Sequence, residues 1–93
     1  MTKNDLIIQI SKDTGIDKST ALTIIESFME NVKNALSKGN NVYLRGFGSF
    51  IIKERAQKTA RNISQNTTIV IPAHNIPVFK PSKEFMKNVS QEG

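Results

Sequence analysis

Apolar residues along this chain change their spacing twice, and each change marks a different kind of element. After Thr2, with Asp5 three positions on, Leu6, Ile7 and Ile10 recur at helical intervals. The spacing predicts a first helix from about Lys3 to Thr14. Gly15 supplies a left-handed stop, Ile16 can pack back on the helix just ended, and Asp17 stands where a second helix needs a cap. That second helix carries Ala21, Leu22, Ile25, Phe28, Met29, Val32, Ala35 and Leu36 at steps of three and four. So broad a stripe calls for packing on two sides. Lys38, Gly39 and Asn40 close it.

From Val42 the period shortens to two, because Val42 and Leu44 alternate with Asn41, Tyr43 and Arg45. Gly46-Phe47-Gly48 reads as a hairpin turn, followed by a strand through Ser49, Phe50, Ile51 and Ile52 whose apolar content stops at Lys53. From Lys53 to Asn66, Ile63 is the one large apolar side chain. Strand character returns at Thr67 to Ile71. A basic and polar excursion between two strand-like stretches predicts an extended ribbon with its tip near Asn62 to Asn66. Ten residues per leg would span about 30 Å. Pro72, Pro77 and Pro81 place the returning strand at a sheet edge or on a bulge, where missing N–H donors do no harm. Ser82 then caps a last helix, Lys83 to about Ser90, with Phe85, Met86 and Val89 inward and Lys83 and Lys87 outward.

Charge sharpens this picture. The net charge is +5, and it is not spread evenly. Up to Asn40 five lysines balance five carboxylates; beyond it eight cations face only Glu54, Glu84 and Glu92. No acid lies between Glu54 and Glu84, which is the footprint expected where a polyanion will rest. With 93 residues and no cysteine, a disulfide or thiolate metal site is excluded, so oligomerisation is the remaining common staple for so small a core. The first residues hold Lys3, Asp5 and Lys12 among their apolar positions and match neither a signal peptide nor a membrane span. A soluble, cytoplasmic protein is expected, without membrane partner, cofactor or metal.

Catalytic constellations are missing. The single His74 reads as a surface or strand residue, and with no cysteine and no paired carboxylates in the basic half, no nucleophile–base pair assembles. The glycines of Gly46-Phe47-Gly48 lack the rest of a phosphate-loop pattern and precede a strand. Three sequons, at Asn62, Asn66 and Asn88, read as chance in the absence of a signal peptide. What remains is an arm carrying Lys53, Arg55, Lys58, Arg61 and Asn62, with Ile63 at or beside the tip. Cations that neutralise phosphates, an amide that reads acceptors on the groove floor and an apolar wedge are the equipment of a DNA minor-groove binder.

Several stretches resemble the bacterial HU and integration host factor family: Thr2-Lys3-Asn4-Asp5-Leu6-Ile7, Leu44-Arg45-Gly46-Phe47-Gly48-Ser49-Phe50, Arg61-Asn62, Ile71-Pro72-Ala73, and Pro77-Val78-Phe79-Lys80-Pro81. The resemblance spans essentially the whole chain. It implies an α+β fold in which an intertwined dimer has a helical body and a three-stranded antiparallel sheet extended into a β-arm. Its expected parts are a helical body over about 1–40, sheet and arm over 41–80 with the arm at 53–76, and a last helix over 83–90. It also implies an architectural protein of the nucleoid that bends duplex DNA with little sequence preference, favouring bent, nicked or gapped forms. Lys3, Lys80 and Lys83 match body positions that catch flanking phosphates. A homodimer is expected. A sequence-selective recruiter or heterodimer subunit is the alternative, and RNA, which also offers phosphates, stays open as a partner. Ile63 stands where the family usually has an intercalating proline, and Gln65-Asn66-Thr67 replaces the usual Gln-Thr-Gly tip.

Overall fold

The structure, a computed structural model, describes residues 1–62 and 67–90, with side chains described outside 58–71. Two compact units divide the chain, one over Met1–Ala35 and the other from Leu36 onward.

In the first unit, α1 is Lys3–Thr14, as the apolar spacing predicts. Its start is a reciprocal capping box: Asp5 N–H donates to Thr2 Oγ1 at 3.3 Å, and Thr2 N–H donates to Asp5 Oδ2 at 2.9 Å. Gly15 ends it at φ 77°, its N–H bonded to Ser11 O at 2.9 Å. The second helix, α2, covers Lys18–Ser37. Asp17 caps it by accepting from Thr20 N–H at 3.0 Å, Thr20 Oγ1 at 2.7 Å and Ser19 Oγ at 2.8 Å.

Those donors hold the Asp17 carboxyl at about 2, below its ordinary value of 3.8, with the Thr20 hydroxyl the largest cause and the Ser19 hydroxyl next. A carboxylate with a lowered folded-state pKa stabilises fully above its unfolded value and loses that contribution as pH falls through the folded one. Asp17 therefore adds acid sensitivity between about pH 4 and pH 2. Asp17→Asn should flatten the fall in denaturation midpoint across that window relative to the parent. Parallel curves would contradict the assignment.

The second unit holds an antiparallel sheet of order β1-β2-β5, with β1 Val42–Leu44, β2 Gly48–Arg55 and β5 His74–Pro81. The turn is Arg45-Gly46-Phe47, with Gly46 at φ 83° and Phe47 N–H bonded to Leu44 O at 2.9 Å. Gly48, expected in that turn, is instead the first residue of β2, paired with Leu44 and Pro81. β5 lies at one edge of this sheet, a position its prolines tolerate.

The ribbon is built from two ladders, not one. Pairing runs from Gly48↔Pro81 to Arg55↔His74, stops, and resumes as a separate two-stranded sheet of β3 Lys58–Asn62 and β4 Thr67–Ile71. Ala56-Gln57 on one leg and Pro72-Ala73 on the other interrupt it at the same level. Pro72 cannot donate to a ladder and biases Ile71 and its own φ, which accounts for the break on that leg. Lys53 and Arg55 therefore belong to the sheet that forms the root of the arm. Ile63 and the tip residues 63–66 lie outside the described residues.

The last helix, α3, covers Lys83–Ser90. Ser82 caps it, accepting from Phe85 N–H at 3.1 Å, while its own N–H reaches Phe47 O and its hydroxyl reaches Gly46 O, both at 2.9 Å. Phe79 lies 5.0–5.9 Å, ring centroid to centroid, from Phe47, Phe50 and Phe85, and binds turn, sheet and helix into one cluster.

Among the described residues, only Ile7 and Ala21 are buried apolar side chains. Leu22 and Phe28 of the α2 stripe are exposed, and so is Ile24 beside them. Met86 and Val89, expected inward, are 57% and 72% exposed. Only Phe85 of the predicted inner face of α3 is half-buried, because the ring cluster takes it alone.

Candidate nucleic-acid interface

Strand alternation sorts the cations. Because β2 and β5 pair without a bulge, Ser49, Ile51, Lys53 and Arg55 share one face with Lys80, Val78, Ile76 and His74. Tyr43, opposite Ser49, joins them. The other face carries Phe50 and Phe79, which enter the aromatic cluster. The face with Ser49 presents exposed Lys53, Arg55 and Lys80 around a half-buried strip of Ile51, Val78 and Ile76.

At the end of the sheet near α3, a cleft is lined by Tyr43, Arg45, Ser49, Lys80, Ser82 and Lys83 among others. Lys83 is the first residue of α3, so its ammonium stands where the helix N-terminus also favours an anion. Arg45 is a cation that the sequence reading left out of the site. Its signal was present in the alternation with Tyr43 and in its place beside a glycine turn. The four predicted residues Lys53, Arg55, Lys80 and Lys83 thus lie in one unit, and Lys58, Arg61 and Asn62 follow in the β3 ladder, opposite Ile71, Thr68 and Thr67.

Lys3 belongs to the first unit, where its Nζ meets Glu26 Oε1 at 2.6 Å and ties α1 to α2. With side chains 46% and 52% exposed, such a pair contributes at most about 1 kcal/mol, so Lys3 can exchange it for a phosphate at small cost. No group of three or more His, Cys, Asp or Glu that could hold a metal occurs among the described residues. No described helix is long and apolar enough to cross a membrane.

A family model described as bacterial DNA-binding protein matches residues 1–90. DNA-binding protein HU of Clostridium pasteurianum is 38% identical over 91 residues, spanning 98% of this chain and 100% of that one. Integration host factor subunit alpha of Mannheimia succiniciproducens is 34% identical over 91 residues, 98% of this chain and 93% of its own length. Among solved structures, an Anabaena HU–DNA cocrystal structure superposes with a TM-score of 0.92 at 32% identity, covering 99% of this chain and 100% of the other.

Proposed function

Starting from the fact that this chain belongs to the bacterial DNA-binding protein family of HU and integration host factor, we propose that it works as a homodimer whose two arms enter the minor groove and hold duplex DNA bent. Architectural DNA binding is the activity, and the family is not one of enzymes. The observation that carries the finer reading is the register that places exposed Lys53, Arg55 and Lys80 on one face of the sheet, at the root of a ribbon continuing through Lys58, Arg61 and Asn62.

Phosphate neutralisation supplies affinity, while the bend costs free energy. Smoothly bending a short site takes on the order of 1–6 kcal/mol, and unstacking a base step a few more. The cationic face, Lys3, Lys80 and Lys83 offset that cost only if the duplex wraps toward them. Duplexes that are nicked, gapped or already bent should therefore bind best. Ile63, beside Arg61 and Asn62, is proposed as the wedge entering a base step on each side of the bend. Little base readout is expected, because the minor groove mainly distinguishes A·T from G·C.

Dimerisation is supported by the exposed Leu22, Ile24 and Phe28 on one helix and by the two-residue buried set. Residence in the nucleoid of the cytoplasm is part of this reading and is supported by family membership. The likeness to integration host factor subunit alpha favours one second reading, a sequence-selective recruiter or heterodimer subunit. Selection of a consensus from random duplexes would favour that reading.

A gel-shift series on linear, nicked and four-way-junction DNA, with a bulged RNA beside them, tests the proposal. The nicked and junction forms should bind tighter than linear duplex. Affinity should fall steeply between roughly 50 and 200 mM salt, with a log–log slope near 0.9 per phosphate neutralised. A flat salt response, or equal affinity for RNA, would contradict it.

A further inference from the structure

Tyr43 is the one tyrosine of the chain, and at 70% exposure its ring is the most open aromatic among the described residues. A ring so open would ordinarily turn freely, yet this one is held at its hydroxyl. Asn41 Nδ2 donates to Tyr43 Oη at 3.2 Å, and Asn41 Oδ1 accepts from Ile52 N–H at 3.0 Å. A backbone N–H only donates, so Oδ1 must face β2 and Nδ2 is left to face the tyrosine. The sheet thus fixes the ring through a side-chain amide while leaving most of it in solvent.

The cross-strand row that starts at Tyr43 runs through Ser49 to Lys80. Adjacent strands lie about 4.8 Å apart, so the tyrosine and the lysine stand roughly 10 Å from one another with only a serine between them. This trough belongs to the cleft beside α3, which Ile51, Arg45 and Lys83 also line. Among the described residues, ion pairs join Lys3 to Glu26 and Lys33 to Glu30 and engage none of Arg45, Lys80 and Lys83. Glu84, next to Lys83, is not among the lining residues. We propose that the trough takes one unpaired nucleobase of interrupted DNA, stacked on Tyr43, with Lys80, Arg45 and Lys83 receiving the phosphates beside it. The inference rests on the DNA-binding reading and adds to it a ligand, the base left without a partner at a gap, on a part of the sheet outside the arm.

A paired base spends both faces on its neighbours in the duplex stack, whereas a base opposite a gap has a free face. An aromatic side chain offers that face a partner whatever the base, and cations take the backbone that carries it. Phosphate alone would be served by the three cations and gives no use to a tethered ring. Holding the ring in advance removes part of the ordering cost that a free side chain meets on binding. Ser49, without bulk, lets the base approach the sheet, and Ile51 adds an apolar wall. A nick leaves every base paired, so the trough favours a gap over a nick for a reason separate from flexibility.

The test uses the full chain, its Tyr43→Phe and Tyr43→Leu variants, and a duplex of roughly 30 base pairs at fixed salt, either nicked or carrying a short gap. The unpaired base in the gap is 2-aminopurine, whose emission is quenched by stacking. On binding, the parent should lower that emission at least about twofold, and Tyr43→Leu, which keeps apolar bulk without a ring, should leave it unchanged. The ratio of affinities for the gapped over the nicked duplex should fall about tenfold in Tyr43→Leu, the size expected of one lost base–aromatic stack. Tyr43→Phe keeps the ring and loses its tether, so it should quench with a gap preference between those of the parent and Tyr43→Leu. If the parent leaves the emission unchanged, or Tyr43→Leu quenches and ranks the two duplexes as the parent does, Tyr43 holds no base and the DNA reading stands without it. If the parent binds neither duplex, both readings fall together.

Discussion

Replacing residues 56–73 with a two-residue Asn-Gly turn should leave a folded protein that has lost at least about a hundredfold in affinity for duplex DNA. The cut follows the strand pairing. Arg55 and His74 are directly paired, so the two strands end where a two-residue hairpin loop can close them. The excised β3–β4 ladder is a sheet of its own and shares no strand with the β1-β2-β5 sheet. Removing it takes away Lys58 and Arg61 from each arm, and each phosphate left without its cation lowers the salt slope by about 0.9. Circular dichroism and filter binding over a salt series read both halves of the result. Unfolding of the shortened chain would show that the ribbon supports the body, and unchanged affinity would move the DNA contacts off the arm.

Gly48→Ala should destabilise the fold by about 3 kcal/mol, at the upper end of overpacking costs. A Cβ on Gly48 would lie 2.6 Å from Lys80 O and 2.6 Å from Phe79 Cζ. The first atom is backbone held in the β2–β5 ladder, through Ser49↔Lys80. The second belongs to a ring fixed among Phe47, Phe50 and Phe85. Neither neighbour can yield without disturbing the strand pairing or the aromatic cluster. Urea unfolding of the parent and variant measures the difference. A loss under about 1 kcal/mol would mean that the edge strand shifts freely, contrary to the packing described.

That glycine also shows where sequence reasoning reaches its limit. The Gly-Phe-Gly turn is legible as punctuation between two period-two runs, but only cross-strand register reveals that Gly46 makes the turn and Gly48 makes room for β5. Both ends of α1 can be read because caps are local: Thr2, Asp5 and Gly15 each act within four residues of their bonding partners. The edge position of β5 can be anticipated from proline chemistry. The arm interruption cannot, since half of it, Ala56-Gln57, carries no breaker and is set by the partner leg across from it. Met86 and Val89 escape for a related reason: helical spacing identifies an apolar face but not what covers it.

Within the candidate site, the lysines and arginines of the basic half are evident from charge and resemblance. The face they share requires the β2–β5 register, which also places His74 opposite Arg55, while the cleft beside α3 brings in Arg45. Lys3 is identifiable without its Glu26 partner, 23 residues away in sequence, because no local pattern encodes a pairing between two helices.

Energy transfer between dyes at the two ends of a duplex of roughly 30 base pairs tests the central claim, that binding and bending are one event. Saturating protein should bring the ends closer, and Ile63→Ala should reduce that approach more than it reduces affinity for gapped DNA, while Arg61→Ala weakens binding to every form. Full occupancy with no change in end-to-end transfer would contradict the account.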